Sequence, residues 1–208
     1  MAASTETLVA AARAAWERWG RSTWNLISGE KRVGKTDDND DDAQYIIDNY
    51  CSVIDRPKPT LAEISSDVYH WSAVGLSRIF RDAGYTSEQF PFSRRHSTWI
   101  TQFIRARRLG EPALYHGYRL NRPEASPAVG DIVGFVDVST FERAQAYFDR
   151  TDRYPGHTDL VVARRPREID VIGANVLDSV TMKTLALDEN GLLADRNFKW
   201  FVVLKKMS

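Results

Sequence analysis

At 208 residues, 43% of them hydrophobic, the chain is long enough to bury a real core as one large domain or a domain with an extension. Its 28 basic side chains balance 28 acidic ones, which leaves no global field to recruit nucleic acid or an anionic membrane. The single cysteine, Cys51, excludes an internal disulfide framework and a multi-cysteine metal site. The N-terminus lacks a basic region followed by a continuous apolar core, and no run approaches the ~18 apolar residues of a membrane span. A chain made in the cytoplasm, without a signal peptide and without a membrane span, is therefore expected; work elsewhere requires a non-classical export route.

Leu8, Val9, Ala12, Ala15, Trp16 and Trp19 predict an amphipathic helix over 5–20, stopped by Gly20. Trp16, Trp19 and Trp24 read as core anchors, because two of them fall on the apolar stripe. Gly29 to Thr36 then matches the letter of the phosphate-binding loop, Gly-x-x-x-x-Gly-Lys-Thr, whose backbone N–H groups cradle phosphates. A working loop follows a buried strand and opens a helix at its Lys-Thr. Here a helix precedes it, and the acidic run Asp37 to Asp42 that follows repels phosphate. Asp37-x-Asn39-x-Asp41 also resembles the start of a calcium loop, but Asp42 stands where the turn needs Gly and Asp48 where a bidentate Glu belongs. The run reads instead as a solvated loop and helix N-terminus. Residues 42–55 form an apolar-periodic helix that buries Cys51, and Arg56-Pro57-Lys58-Pro59 breaks it. Residues 1–59 are thus read as an N-terminal helical extension, and 60–208 as the principal domain.

Thr60 to Ser66 is a short helical segment leading to the stretch His70 to Gly84. There Ala73, Leu76, Ile79, Phe80 and Ala83 make a helical stripe that Gly84 ends in a left-handed conformation. Ser72 opens that helix, where a hydroxyl ordinarily caps a backbone N–H. An aromatic loop over 90–97 leads to a helix over 95–109 with Trp99, Phe103 and Ile104 inward and Arg105, Arg107 and Arg108 on a solvated face. From residue 117 the pattern changes to strand. A turn at 127–131 feeds Ile132 to Val136, Thr140 to Arg150 reads as a helical insertion, and further strands follow at 158–164, 168–173, 179–187 and 198–205. In the last, Trp200, Val202 and Leu204 alternate with Phe201 and Val203. Helices first, then a roughly five-stranded antiparallel meander, is an α+β arrangement with the N-terminal helices packed on the sheet.

The polar residues at element ends carry the chemistry. Ser72 starts a helix, His157 precedes a strand, and Asn175 follows the next strand. Acyl transfer needs a nucleophile, a base to take its proton and a third group to hold the imidazole's tautomer, and these types supply all three as candidate catalytic residues. His70, Trp71 and His96 are candidates for lining the substrate cleft. Asp159, two residues after His157 on the same strand face, joins them as a partner behind the imidazole. The histidines never approach the spacing of a zinc helix, so no metal site and no cofactor is expected.

His-Trp-Ser-Ala opening a helix that ends in Ala-Gly, then Val-Gly-Asp-Ile-Val, Gly-His-Thr-Asp-Leu-Val-Val and Val-Ile-Gly-Ala-Asn-Val-Leu-Asp-Ser-Val, resemble a bacterial family of uncharacterised function. That family is similar to the papain-like NlpC and CHAP cell-wall amidases, and the resemblance covers residues 60–206. It implies a papain-like fold and hydrolysis of peptidoglycan-type amide bonds. The family's helix-borne nucleophile, strand-initial His and following polar residue fall on Ser72, His157 and Asn175. The nucleophile position holds Ser rather than Cys. A helix dipole can draw a thiol into the thiolate range but not a serine hydroxyl, so Ser72 needs a general base. Three accounts follow: an amidase or peptidase on peptidoglycan or peptide, a degenerate module that binds such a ligand without cutting it, and a cell-wall toxin delivered by a secretion apparatus, with a cognate partner protein.

Overall fold

The computed structural model describes residues 3–66 and 68–207. Six α-helices are described: α1 (Thr5–Arg18), α2 (Asp40–Tyr45), α3 (Leu61–Ser65), α4 (Ser72–Asp82), α5 (His96–Leu109) and α6 (Phe141–Ala146). The strands are β1 (Ser22–Asn25), β2 (Lys31–Arg32), β3 (Tyr115–Tyr118), β4 (Ile132–Val136), β5 (His157–Arg165), β6 (Glu168–Val176), β7 (Ser179–Ala186) and β8 (Lys199–Lys206). They form one eight-stranded sheet in the order β2-β1-β7-β6-β5-β4-β8-β3. β1 lies parallel to β7 and the other pairs are antiparallel.

The class is α+β, but the sheet is eight-stranded and mixed, not five-stranded and antiparallel. The strands that the pattern did not delimit, β1, β2 and β3, run for only 4, 2 and 4 residues. Alternation needs a longer run to register. Two of them come from residues 1–59, read as a helical extension with a polar loop, so that segment shares the sheet with the rest of the chain. No described helix is long and apolar enough to cross a membrane.

Local signals account for the helix ends. Ser4 and Thr7 form a reciprocal capping box on α1, and Thr60 and Glu63 form one on α3. α4 runs out through Ala83 to Gly84 at φ +92°, the left-handed residue that relieves its last carbonyls. Buried Ala73, Val74, Leu76, Ile79 and Phe80 fix its inward face. Gly75 sits where a Cβ would fall 2.5 Å from the Ala174 Cβ, so only glycine lets α4 lie this close to β6.

Helices α1, α4 and α5 cover one face of the sheet around Trp19, Phe80, Trp99 and Leu160, and the other face is closed by Leu26, Val133, Val161 and Trp200. The clean alternation expected of β8 is broken, with Trp200 on one face and Val202 on the other. Opposite them β4 carries an irregularity between Gly134 and Phe135, which pair with Val202 and Trp200 and leave Phe201 out of register.

The polar segment before α2 is more buried than its charge suggests. Asp37 is 2% exposed and accepts the Trp71 indole N–H at 2.5 Å; Asn39 caps α2, and Asp42 pairs with Arg18 at 3.0 Å. The phosphate-loop look-alike is a clasp on the end of α1. A Cβ on Gly34 would meet the Trp19 carbonyl at 2.5 Å, and the Lys35 N–H donates to that carbonyl at 2.9 Å. The helix expected over 42–55 begins as α2, then loosens into a π-helical turn at Ile46–Tyr50 and tightens into a 3₁₀ turn at Cys51–Val53. Cys51 is buried within it, with its thiol 3.6 Å from the Tyr69 hydroxyl.

Candidate active site

Ser72, Phe135, His96, His157 and Asn175 line one cleft of about 790 Å³, whose mouth carries Arg94, Arg95 and Arg153. Four elements deliver the polar groups, β6 among them with Asn175 near its end. α4 begins with Ser72, α5 with His96 and β5 with His157.

Ser72 is the first residue of α4 rather than its cap. Trp71 holds the cap position and offers no side-chain hydrogen bond to the first turn. The Ser72 hydroxyl is thereby free of the ordinary capping role and lies 2.8 Å from His96 Nε2. On the other edge of the ring, His96 Nδ1 lies 2.8 Å from the Thr158 hydroxyl, which also accepts the Trp99 indole N–H at 3.3 Å. Burial holds the His96 pKa well below its ordinary 6.5, and the neighbouring His157 pushes the same way; Asp159 opposes, and Lys183 adds to the lowering. His96 is thus a neutral imidazole near neutral pH.

His157 is held differently. Its Nε2 lies 3.0 Å from Asp159 Oδ1, and Asp159 Oδ2 lies 2.8 Å from the Lys183 ammonium. Asp159 and Lys183 are both fully buried. Burial alone would raise the Asp159 pKa, but the Lys183 charge and then His157 overcome it and hold the carboxyl far below its ordinary value. The two imidazole rings are 4.9 Å apart, centre to centre.

Ser72, His157 and Asn175 do share the cleft, but the imidazole on the Ser72 hydroxyl is that of His96, and the oxygen on His157 Nε2 is that of Asp159. Asn175 sits at φ +54° on an irregularity of β6 between Ala174 and Val176. The adjoining turn residues Leu177 and Asp178 are also left-handed, at φ +55°. Non-glycine residues pay for that conformation, so something must brace the hairpin. The N-terminal segment does so: the Asp37 N–H donates to the Asp178 carbonyl at 2.9 Å, and the Ser22 and Ser179 hydroxyls meet at 2.8 Å.

His70 is exposed and lines the cleft. Trp71, expected to line it, does not. Its ring is fully buried and stacked on Trp19 at 5.0 Å, because the apolar residues N-terminal to α4 face the helical layer while the next residue turns to the cleft.

Sequence reasoning missed Thr158 and Lys183. Thr158 stood between two residues that it did single out. Lys183 had a readable signal: a cation at an inward position of β7, between buried Thr181 and Leu185. Among the described residues, no group of three or more His, Cys, Asp or Glu side chains converges as a metal set.

Neither a curated protein nor a solved structure matches the chain. A family described as an uncharacterized protein conserved in bacteria, DUF2272, matches residues 12–206, a span that takes in α4, both histidines and every strand of the cleft. The chain is a member of that bacterial family.

Proposed function

We propose that the protein is a serine hydrolase of amide bonds in cell-wall-type peptides, with Ser72 as nucleophile. The observation that carries this reading is the 2.8 Å contact between Ser72 Oγ and His96 Nε2 at the uncapped start of a helix. His96 takes the role that the family resemblance assigned to His157, since a serine hydroxyl must pass its proton directly to the group it touches.

In this mechanism Thr158 accepts the His96 Nδ1–H, so that Nε2 carries the lone pair aimed at Ser72. Oγ attacks the amide carbon while its proton moves to Nε2. The backbone N–H groups of the first turn of α4 meet the negative charge that develops on the carbonyl oxygen. The leaving amine takes a proton from the imidazolium, and water then cleaves the Ser72 ester. His157, with the Asp159 carboxylate behind it, stands 4.9 Å away as a second imidazole for the proton traffic of the amine and the water. The papain-like amidases that the motifs resemble place a helix-borne nucleophile, a strand-initial His and a following Asn around one cleft, which supports the substrate class. So do Arg94, Arg95 and Arg153 at the mouth, whose guanidiniums suit the carboxylates of an acidic peptide.

Purified protein incubated with peptidoglycan should release new amines, and Ser72→Ala should abolish the release. A fluorophosphonate should modify Ser72, as read by mass spectrometry of the labelled peptide. Release that persists in Ser72→Ala removes Ser72 from the role. A non-catalytic binding module is the second reading. It is favoured by the hydroxyl, rather than carboxylate, behind His96, since a hydroxyl compensates an imidazolium poorly. On that reading no turnover occurs, and ligand binding tolerates His157→Ala.

A further inference from the structure

We propose that Lys183 is a positioning residue: by pairing Asp159 it makes that carboxylate a pure acceptor, which locks His157 as its Nε2–H tautomer and leaves Nδ1 as the ring's acceptor nitrogen. The functional consequence rests on the hydrolase reading of the cleft. The tautomer itself does not.

A lysine inside a sheet needs a reason. Lys183 has no exposed surface, and its ammonium lies 2.8 Å from Asp159 Oδ2 within a ring of aromatic faces, 5.2 Å from the Phe135 centroid, 4.9 Å from that of Phe198 and 5.5 Å from that of Trp200. Cation–π attraction and one carboxylate offset the loss of water, yet an apolar side chain would fill the space without that loss. The fold also keeps room for the pair. On β6, a Cβ at Gly173 would fall 1.9 Å from Asp159 Oδ1 and 3.0 Å from His157 Nε2, so glycine there is what lets the carboxylate and the ring meet.

The chemistry follows from the donor and acceptor inventory. An ionised carboxylate only accepts, so the nitrogen facing it must carry a proton. A carboxyl buried without a cation would take up a proton, become a donor, and invert the ring. Lys183 from β7, His157 on the same strand as Asp159, and His96 from α5 at 4.9 Å from His157 are the titratable groups around this carboxylate. Among them only Lys183 faces the oxygen turned away from His157, with its nitrogen 2.8 Å from Asp159 Oδ2. A merely structural ion pair would alter stability while leaving the tautomer where it was.

The test is the ¹⁵N signature of the His157 ring in the full chain, labelled at histidine, assigned with His157→Gln, and recorded where the ring is neutral. In the unaltered protein Nε2 should be the protonated nitrogen and Nδ1 the bare one. Asp159→Asn, which is isosteric, should reverse this. With the amide oxygen held by Lys183, the amide N–H₂ faces His157 and donates, so the dominant tautomer becomes Nδ1–H. Adding Lys183→Met to Asp159→Asn should remove that bias and give a mixture. Nδ1–H in the unaltered protein, or an unchanged tautomer in Asp159→Asn, overturns the proposal whatever the enzymology shows. If the tautomers behave as stated while Ser72→Ala and the unaltered protein are equally inert on peptidoglycan, the hydrolase reading fails and the positioning role of Lys183 stands.

Discussion

Two imidazoles 4.9 Å apart in one cleft are held by opposite means. His96 is buried among neutral partners, the hydroxyls of Ser72 and Thr158 and the edge of Trp99, with its ring 5.0 Å from that indole. His157 is half-buried, and its support is ionic, through Asp159 to Lys183. The first environment makes a ring that resists a proton, and the second sets a buried carboxylate against the ring. Identical residues thereby stand against different partners, hydroxyls in one case and a carboxylate in the other.

The ionic side should be the more fragile to deletion of one partner. Lys183→Met leaves Asp159 buried without its cation and should cost about 3–5 kcal/mol, measured by urea unfolding. A cost below about 1 kcal/mol would mean that Asp159 is already compensated otherwise, and the contrast between the rings would collapse. Gly173→Ala drives a methyl into the same carboxylate and should cost about 1–3 kcal/mol and lower kcat more than it raises KM; an unchanged kcat would show that the His157 support is not used in turnover.

The neutral side is legible in acid. His96 stays unprotonated in the folded chain, whereas the unfolded chain titrates near 6.5, so below that pH the unfolded state binds more protons and stability falls. The slope should reach about 1.4 kcal/mol per pH unit, and His96→Gln should flatten it. Asp159 acts in a lower window. Its folded pKa is depressed from 3.8, so its contribution is complete above that pH and is lost as pH falls below it. His96→Gln should leave that second decline in place; thermal melts from neutral to acidic pH separate the two. The smallest effect is expected of Thr158→Val, about 1 kcal/mol from the lost hydrogen bonds to His96 and Trp99. On the proposed mechanism its catalytic cost should still be visible as a lower kcat, because there the Thr158 hydroxyl accepts the His96 Nδ1–H and leaves Nε2 to face Ser72.

Much of the frame was readable in the letters. The stripe from Ala73 to Ala83 with Gly84 beyond it marked α4 nearly to the residue, and the turn over 127–131 ahead of an apolar run marked β4 at Ile132 to Val136. Asp159 could be put on the face of His157 from strand geometry alone. The acidic run, by contrast, read as solvated because nothing in its own composition reveals that Asp37 receives Trp71, a residue 34 positions away. β2, of 2 residues, is a strand only because β1 lies beside it.

The choice of partner for Ser72 belongs to the same class. Residue types and element ends determined that a hydroxyl, imidazoles, an amide and a carboxylate would gather where helices begin and strands end. Which imidazole meets the hydroxyl depended on where packing puts the first residues of α4 and α5, and the glycines at 75 and 173 keep α4 close to β6 and Asp159 close to His157. Periodicity is a property of neighbours along the chain, and a hydrogen bond of 2.8 Å between α4 and α5 is a property of packing. The sequence by itself determined the inventory of the site; the tertiary structure decided its pairings, and put a buried lysine behind one of them.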